Sequence, residues 1–112
     1  MPTPWVPDRG DLVWLQFSPQ AGHEQAGLRP ALVLSLASYN GRAGLALACP
    51  ITSHVKGYPF EVSLPAGGAI TGVALADQVR CIDWRARGAR RVGAAPAATV
   101  AAALAKARAL LA

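Results

Sequence analysis

The sequence predicts a small, mainly β domain that ends in a single α-helix. Short segments rich in branched and large apolar residues recur between residues 12 and 84, separated by Gly, Pro and Asn, which is typical of strands joined by turns. After residue 94 the apolar residues are mostly alanine and fall at helical spacing. Because a flat sheet in so short a chain would leave its edges unpaired, we expect a strongly curved sheet or a partly open barrel.

The predicted strands are the segments 12–17, 31–36, 45–49, 60–64, 72–75 and 79–82. Asn40 and Gly41 lie between the second and third segments and suit a tight reversal, so we expect these two segments to form a hairpin. Phe60, Val62 and Leu64 alternate with polar residues, which predicts one face on the core and the other in solvent.

The C-terminal segment is predicted to form one helix. Pro96 suits a first helical turn, and Lys106 and Arg108 fall in the last turns, where positive charge is favoured by the helix dipole. The apolar stripe of this helix is expected to consist of Val100, Ala103, Leu104, Ala107 and Leu111.

Length and composition indicate one folded domain, which we expect to span residues 1–112. The chain is 53% hydrophobic and 15% charged, which excludes a disordered or linker-like protein. Eleven Lys and Arg against six Asp and Glu give a formal net charge of +5, which favours a polyanion or an acidic protein as partner. No apolar run approaches the roughly 18–20 residues of a membrane span and no signal peptide is evident, so we expect a cytoplasmic protein with no membrane partner.

Two cysteines and the scattered acidic residues offer no metal-ligand pattern. Cys49 and Cys81 stand alone in apolar stretches, without a CxxC pair or a histidine at ligand spacing. We therefore expect two reduced, buried thiols, and no metal or other cofactor.

Four stretches carry a resemblance to a known family: VPDRGDLVWLQF from Val6, EQAGLRPALVLS from Glu24, TSHVKGYPFEV from Thr52 and GVALADQVRCIDWRARG from Gly72. In this order they resemble the MazF branch of the MazF/PemK toxins. The resemblance implies an SH3-like β-barrel with a C-terminal α-helix, a fold shared with the CcdB gyrase poisons. It also implies a homodimer with an RNA groove along its interface, metal-free cleavage of single-stranded RNA at short motifs, and silencing by a cognate MazE-like antitoxin.

The same resemblance assigns catalytic roles to Glu24 and Arg29. Metal-free RNA cleavage needs a base to take the proton of the attacking 2′-hydroxyl and a group that stabilises the phosphate. Glu24 would be the general base, and the guanidinium of Arg29 would bind phosphate oxygens and stabilise the transition state. Outside this family, such a pair is more often a solvated ion pair. His23 is a rival base because histidine has an unperturbed pKa of about 6.5, and the group that protonates the leaving oxygen stays open.

Thr52 matches a substrate-contacting threonine of the family and is the third expected catalytic residue. Its hydroxyl would bind the scissile phosphate or a neighbouring base. The alternative is a strand-end residue that satisfies local backbone groups.

The expected RNA-binding residues are Phe17, His23, Gln25, His54, Lys56, Tyr58, Asp77 and Gln78. Unpaired bases offer flat faces and free hydrogen-bonding edges. A protein that recognises single-stranded RNA therefore needs aromatic rings to stack on the bases, polar groups to bond their edges and cations to contact the phosphates. Lys56 and Tyr58 would supply a phosphate contact and a stacking ring, or else belong to a surface turn. Asp77 and Gln78 would contact base edges, or else only turn the chain between two strands.

The large aromatic residues and the arginines near the C-terminus have less specific expectations. Trp14 and Trp84 are predicted to be core or dimer-interface residues, and Trp5 is placed on a loose arm. A basic cluster that would either follow RNA or form a solvated rim consists of Arg85, Arg87, Arg90 and Arg91.

Two other functions remain open from the sequence. One is a non-enzymatic toxin of the CcdB kind that poisons a topoisomerase through its terminal helix, although LAKARALLA has little of that character. The other is an RNA-binding module without turnover. For the nuclease, an ACA-like triplet is the expected cleavage motif.

Overall fold

The computed structural model describes residues 5–17 and 27–112. In this part of the chain the elements are β1 (Asp11–Phe17), β2 (Gly27–Val33), α1 (Ala37–Ala43), β3 (Ala46–Thr52), β4 (Glu61–Ser63), β5 (Val73–Leu75), β6 (Arg80–Ile82), β7 (Arg90–Ala94) and α2 (Ala97–Ala109). A 3₁₀ turn at Ala76–Gln78 lies between β5 and β6. The predicted mainly β class with a C-terminal helix is confirmed.

The strands form one antiparallel sheet in the order β4-β5-β3-β2-β1-β7, with β6 also paired to β3. Strand β3 changes neighbours along its length, because residues 46–48 pair with β6 whereas Ile51 and Thr52 pair with β5. The sheet divides at this point, and Val62 of β4 packs in the same core as Leu12 of β1 and Leu32 of β2. The result is the strongly curved sheet that the sequence predicts.

The central residues of strands β1 to β3 are buried on both faces, whereas Gln16, Arg29 and Leu47 are exposed. Leu12 and Leu32 enter a first core, which also contains residues of β4, β5 and α2. Their neighbours Val13 and Val33 enter a second core with Trp84. In the sequence, a strand with two buried faces is a continuous run of apolar residues. A strand with one exposed face instead alternates apolar and polar residues, as β4 does.

The segment between β2 and β3 is a helix, so the expected tight reversal at Asn40 is wrong, although β2 and β3 do pair. Asn40 is fully buried in α1. Its side-chain amide donates to the carbonyl oxygens of Pro7 at 2.8 Å and Ser35 at 3.1 Å, and its Oδ1 accepts from the Ser35 hydroxyl at 2.6 Å. Its backbone carbonyl accepts from the Trp84 indole at 3.0 Å. Pro7 and Trp84 are 33 and 44 residues away in the sequence, so local turn chemistry did not reveal these contacts.

Asn40→Asp is expected to lower the free energy of unfolding by about 2–4 kcal/mol. The substitution preserves shape but turns a buried donor group into a carboxylate oxygen that faces the carbonyls of Pro7 and Ser35. Urea unfolding followed by tryptophan fluorescence measures the change. Ser38→Ala, on the exposed side of the same helix, is the control and should shift stability by less than about 0.5 kcal/mol. Equal effects of the two substitutions would contradict the role of Asn40.

The two cysteines differ in environment, so the expectation of two buried thiols is right only for Cys49. Burial raises the pKa of the Cys49 thiol from 9.0 to about 12, which keeps it protonated and unreactive at neutral pH. Cys81 is exposed on the three-residue strand β6, opposite the exposed Leu47 of β3. Its apolar sequence context suggested burial, but no element covers that side of the β3–β6 pair among the described residues.

The tryptophans confirm one expectation and correct another. Trp84 is buried in the second core and Trp14 packs against the first. Trp5 does not lie on a loose arm, because its ring meets that of Trp84 edge to face with 6.1 Å between centroids. This contact fixes the start of the described chain on the second core.

The four arginines of the expected basic cluster, Arg85, Arg87, Arg90 and Arg91, lie in different elements or make different contacts. Arg90 and Arg91 lie in β7, a strand that the sequence pattern did not predict. Arg91 forms an ion pair at 3.0 Å with the buried Asp11 of β1, and the Arg85 guanidinium lies 4.6 Å above the Trp84 ring. Arg91 and Arg85 therefore have structural contacts within the protein.

Helix α2 packs against the first core through most of the predicted stripe. Ala103 is fully buried, and Val100, Leu104 and Ala107 contact the same cluster. Leu111 does not belong to the stripe, because it follows the end of the helix and is 88% exposed. Neither α2 nor α1 is long and apolar enough to cross a membrane, and the described residues contain no such helix.

Candidate functional site

An open groove of about 480 Å³ lies where β3 ends and β4 begins. Its lining consists of Thr52, His54, Lys56, Tyr58, Glu61, Leu75, Asp77 and Gln78. All of these except Glu61 and Leu75 are residues that the sequence assigned to catalysis or RNA binding. The fold thus brings together two predicted stretches, 52–58 and 77–78, that are well separated in the chain.

Strand pairing holds these two stretches at one end of the sheet. Thr52, the last residue of β3, lies opposite Val73 of β5, and β5 leads directly into the 3₁₀ turn that carries Asp77 and Gln78. The carbonyl of Phe60 accepts a hydrogen bond from Ala76 at 3.1 Å, which ties the end of the 53–60 loop to the same turn. The groove walls therefore rest on backbone hydrogen bonds.

Gly72 allows β5 to approach the end of β3. It has a φ of +113°, and a Cβ atom at this position would lie 2.2 Å from the Thr52 carbonyl oxygen and 2.9 Å from its carbon. Gly72 also accepts a hydrogen bond from the Leu64 N–H at 2.9 Å. A residue without a side chain is required here to place Thr52 on the groove.

Thr52 has the local backbone role that was its alternative assignment, and it also lines the groove. Its Oγ accepts a hydrogen bond at 3.1 Å from the N–H of His54. A hydroxyl that accepts one bond retains its proton for donation. Thr52 can therefore orient the start of the 53–60 loop and still donate to a ligand.

Lys56 and Tyr58 present a cation and an aromatic face to solvent at the groove. Tyr58 is 60% exposed, and the Lys56 ammonium lies 5.8 Å from the centroid of its ring. An exposed ring beside a cation can stack on a flat ligand group while the cation contacts an anion.

Glu61 is a groove residue that the sequence did not single out. Its Oε2 accepts from the N–H of Lys56 and its Oε1 from the N–H of Gly57, both at 3.0 Å. The sequence indicates only that Glu61 faces solvent, because it is a polar residue in a strand that alternates polar and apolar residues. A carboxylate that binds amides four and five residues earlier has no recognised local motif, so only the structure reveals it.

The other predicted site residues lie outside this groove or outside the described chain. Arg29 is exposed on β2 opposite Leu15 of β1, and the backbone of Phe17 pairs with Gly27 at the end of β1. The remaining predictions, for His23, Glu24 and Gln25, fall outside the described residues and stay predictions. Within residues 5–17 and 27–112, no three His, Cys, Asp or Glu residues group in a way that could hold a metal ion.

The fold and the groove define a small curved-sheet protein that offers a cation, an exposed ring and polar groups to a polar ligand. A sequence profile described as PemK-like, MazF-like toxin of type II toxin-antitoxin system matches residues 8–111. The chain belongs to this family, as its motifs predict.

Individual relatives agree with the family assignment. The chain is 57% identical over 89 residues to the endoribonuclease toxin MazF of Escherichia coli K12, covering 80% of this chain and 79% of the relative. It is 39% identical over 93 residues to the Escherichia coli endoribonuclease PemK, covering 80% and 70%. A MazE–MazF crystal structure from Deinococcus radiodurans superimposes with a TM-score of 0.91 at 58% identity, covering 96% of this chain and 97% of that one.

Proposed function

We propose that this chain is the toxin of a type II toxin–antitoxin system and an endoribonuclease that cleaves single-stranded RNA without a metal. Family membership and the named endoribonuclease relatives support the class. The observation that carries the RNA-binding part is the groove, which gathers a cation, an exposed ring, a hydroxyl and an amide on one surface.

In the proposed reaction the 2′-oxygen attacks phosphorus, the bond to the 5′-oxygen breaks, and the departing 5′-oxygen takes up one proton. Glu24 takes the proton of the 2′-hydroxyl, Arg29 binds the phosphate oxygens, and Thr52 donates to the same phosphate. The products are a 2′,3′-cyclic phosphate and a 5′-hydroxyl. Strand register supports a common site, because Ala31 pairs with Pro50 and the same register continued by two residues brings Arg29 opposite Thr52.

The groove residues would read the RNA next to the scissile bond. Tyr58 stacks on a base, Lys56 contacts a phosphate, and the amide of Gln78 bonds a base edge. His54 contributes a further polar contact from the same loop. Asp77 would repel phosphate, so it accepts from a base instead. His23 and Gln25 adjoin Glu24 in the sequence and Phe17 ends β1, and all three would supply further contacts to the RNA.

The proposed partners follow from charge and from the family. The net charge of +5 favours an acidic, flexible antitoxin segment that competes with RNA for the groove. The Deinococcus relative is a MazF in a structure with MazE, which supports a MazE-like antitoxin for this chain. We place the protein in the cytoplasm, where mRNA is available, as a homodimer.

Incubation of the purified protein with a pool of long single-stranded transcripts in EDTA tests the function. We expect cleavage at a short motif, an ACA-like triplet, with 2′,3′-cyclic phosphate and 5′-hydroxyl ends detected by sequencing and mass spectrometry. RNA binding without cleavage by the wild-type protein would support the module without turnover. Inhibition of a topoisomerase with no effect on RNA would instead support the CcdB-like alternative.

A further inference from the structure

The loop that carries His54, Lys56 and Tyr58 is closed at its base by one side chain. Both carboxylate oxygens of the half-buried Glu61 accept backbone N–H groups of that loop, from Lys56 and Gly57, at 3.0 Å each. The N–H of Glu61 itself donates to the Tyr58 carbonyl at 3.1 Å. The carboxylate thus bonds the N–H groups of two consecutive residues of the loop, Lys56 and Gly57.

We propose that Glu61 is a positioning residue of the RNA groove, which holds the 53–60 loop in the conformation that contacts RNA. The inference rests on the proposed endoribonuclease function. Glu61 acts through the backbone of Lys56 and Gly57, and it touches neither the scissile phosphate nor the attacking hydroxyl.

The chemistry of the contact requires a glutamate. The two amide donors bond different oxygens of the side chain, and a carboxylate provides both acceptors in charge-assisted hydrogen bonds. A glutamine offers one oxygen and would turn its own N–H₂ group toward the second donor. An aspartate keeps the charge but is one methylene shorter, so it cannot reach both amides from the same strand position.

The charge and the hydrogen bonds of the Glu61 carboxylate argue against a role in direct RNA contact. A negative charge in a groove for a polyanion weakens binding unless the charge is used elsewhere. Here it is compensated by the two peptide N–H groups. Direct repulsion and loop positioning therefore predict opposite signs: removal of the charge strengthens RNA binding in the first case and weakens it in the second.

A second contact holds the same loop from helix α2. The ammonium of Lys106 donates a hydrogen bond to the carbonyl of Pro59, just beyond Tyr58. The loop backbone is therefore held on two sides, by Glu61 and by Lys106, while the side chains of Lys56 and Tyr58 remain exposed. Such an arrangement reduces the conformational entropy that the loop loses when RNA binds.

The test compares Glu61→Gln and Glu61→Asp with Ser63→Ala, an exposed position on the same strand. The probe is an RNA containing the cleavage motif with a 2′-O-methyl group at the scissile nucleotide, and steady-state kinetics use the unmodified RNA. We expect both Glu61 variants to raise the dissociation constant and KM by about tenfold and to leave kcat within about threefold. Ser63→Ala should behave as wild type.

Backbone NMR provides a readout that does not depend on RNA. The amide protons of Lys56 and Gly57 should move upfield and exchange faster with solvent in both variants, while amides of the β1–β2 pair remain protected. Tighter RNA binding by Glu61→Gln, wild-type behaviour of Glu61→Asp, or unchanged exchange at Lys56 and Gly57 would each overturn the inference.

These experiments distinguish loss of the endoribonuclease function from loss of the positioning role of Glu61. A wild-type protein that neither binds nor cleaves RNA removes the proposed function and, with it, the role of Glu61 in RNA binding. A wild-type protein that cleaves RNA, together with Glu61 variants of unchanged KM, removes only the inference.

Discussion

Arg29→Ala is expected to reduce kcat/KM for RNA cleavage by about a hundredfold to a thousandfold. The proposed role of this guanidinium is to bind phosphate oxygens whose charge increases in the transition state, and no ion shares that task in the proposed mechanism. Arg29→Lys should recover only a small part of the activity, because an ammonium cannot bind two oxygens in the planar, bidentate manner of a guanidinium. Single-turnover cleavage of a short RNA containing the motif measures the effect.

Arg42→Ala is the charge-matched control for this prediction. Arg42 is exposed in the last turn of α1 and does not line the groove, so its loss should leave cleavage within about twofold. Both substitutions are at exposed positions, where effects on stability are usually within about 0.5 kcal/mol. Equal activities of the Arg29 and Arg42 variants would remove Arg29 from the mechanism.

The same assay distinguishes the two candidate bases. Glu24→Gln should abolish most of the activity, whereas His23→Gln should retain it. If His23→Gln is the inactive variant, histidine rather than the carboxylate takes the proton of the 2′-hydroxyl.

Gly72→Ala is expected to lower the free energy of unfolding by about 3–5 kcal/mol, a large fraction of the stability of a domain of this size. The added Cβ atom would lie 2.2 Å from the carbonyl oxygen of Thr52 and 3.2 Å from the Cα of Ser53. These are backbone atoms, so no side-chain rotation relieves the clash, and β5 must separate from the end of β3. Because Thr52 ends β3 at the groove, the folded fraction should also bind RNA more weakly.

Gly67→Ala separates this clash from backbone strain. Gly67 also has a positive φ, +84°, but a Cβ atom there would have nothing within 4 Å. Strain alone should therefore lower its stability by about 1–2 kcal/mol. Urea unfolding of both variants gives the difference, and a Gly72 variant no less stable than the Gly67 variant would show that β5 has room to move.

Much of the candidate site was predictable because the family motifs name individual residues. Thr52, His54, Lys56, Tyr58 and Gln78 were each singled out, and all of them line one groove. Glu61 was not predictable in this way, since its partners are backbone N–H groups, which every residue type except proline supplies. The hydrogen bonds to Lys56 and Gly57 exist only because the loop turns back on β4.

The amino-acid sequence alone determined the mainly β class, the terminal helix and the family, because apolar periodicity and motifs are local properties of the chain. Only the tertiary structure decided that Asn40 is the buried residue of a helix and that Arg90 and Arg91 lie in a strand. The physical reason is the distance of their partners along the chain. Asn40 bonds Pro7, 33 residues away, and Arg91 bonds Asp11, 80 residues away, so the hydrogen bonds that stabilise these conformations join segments that only the folded chain brings together.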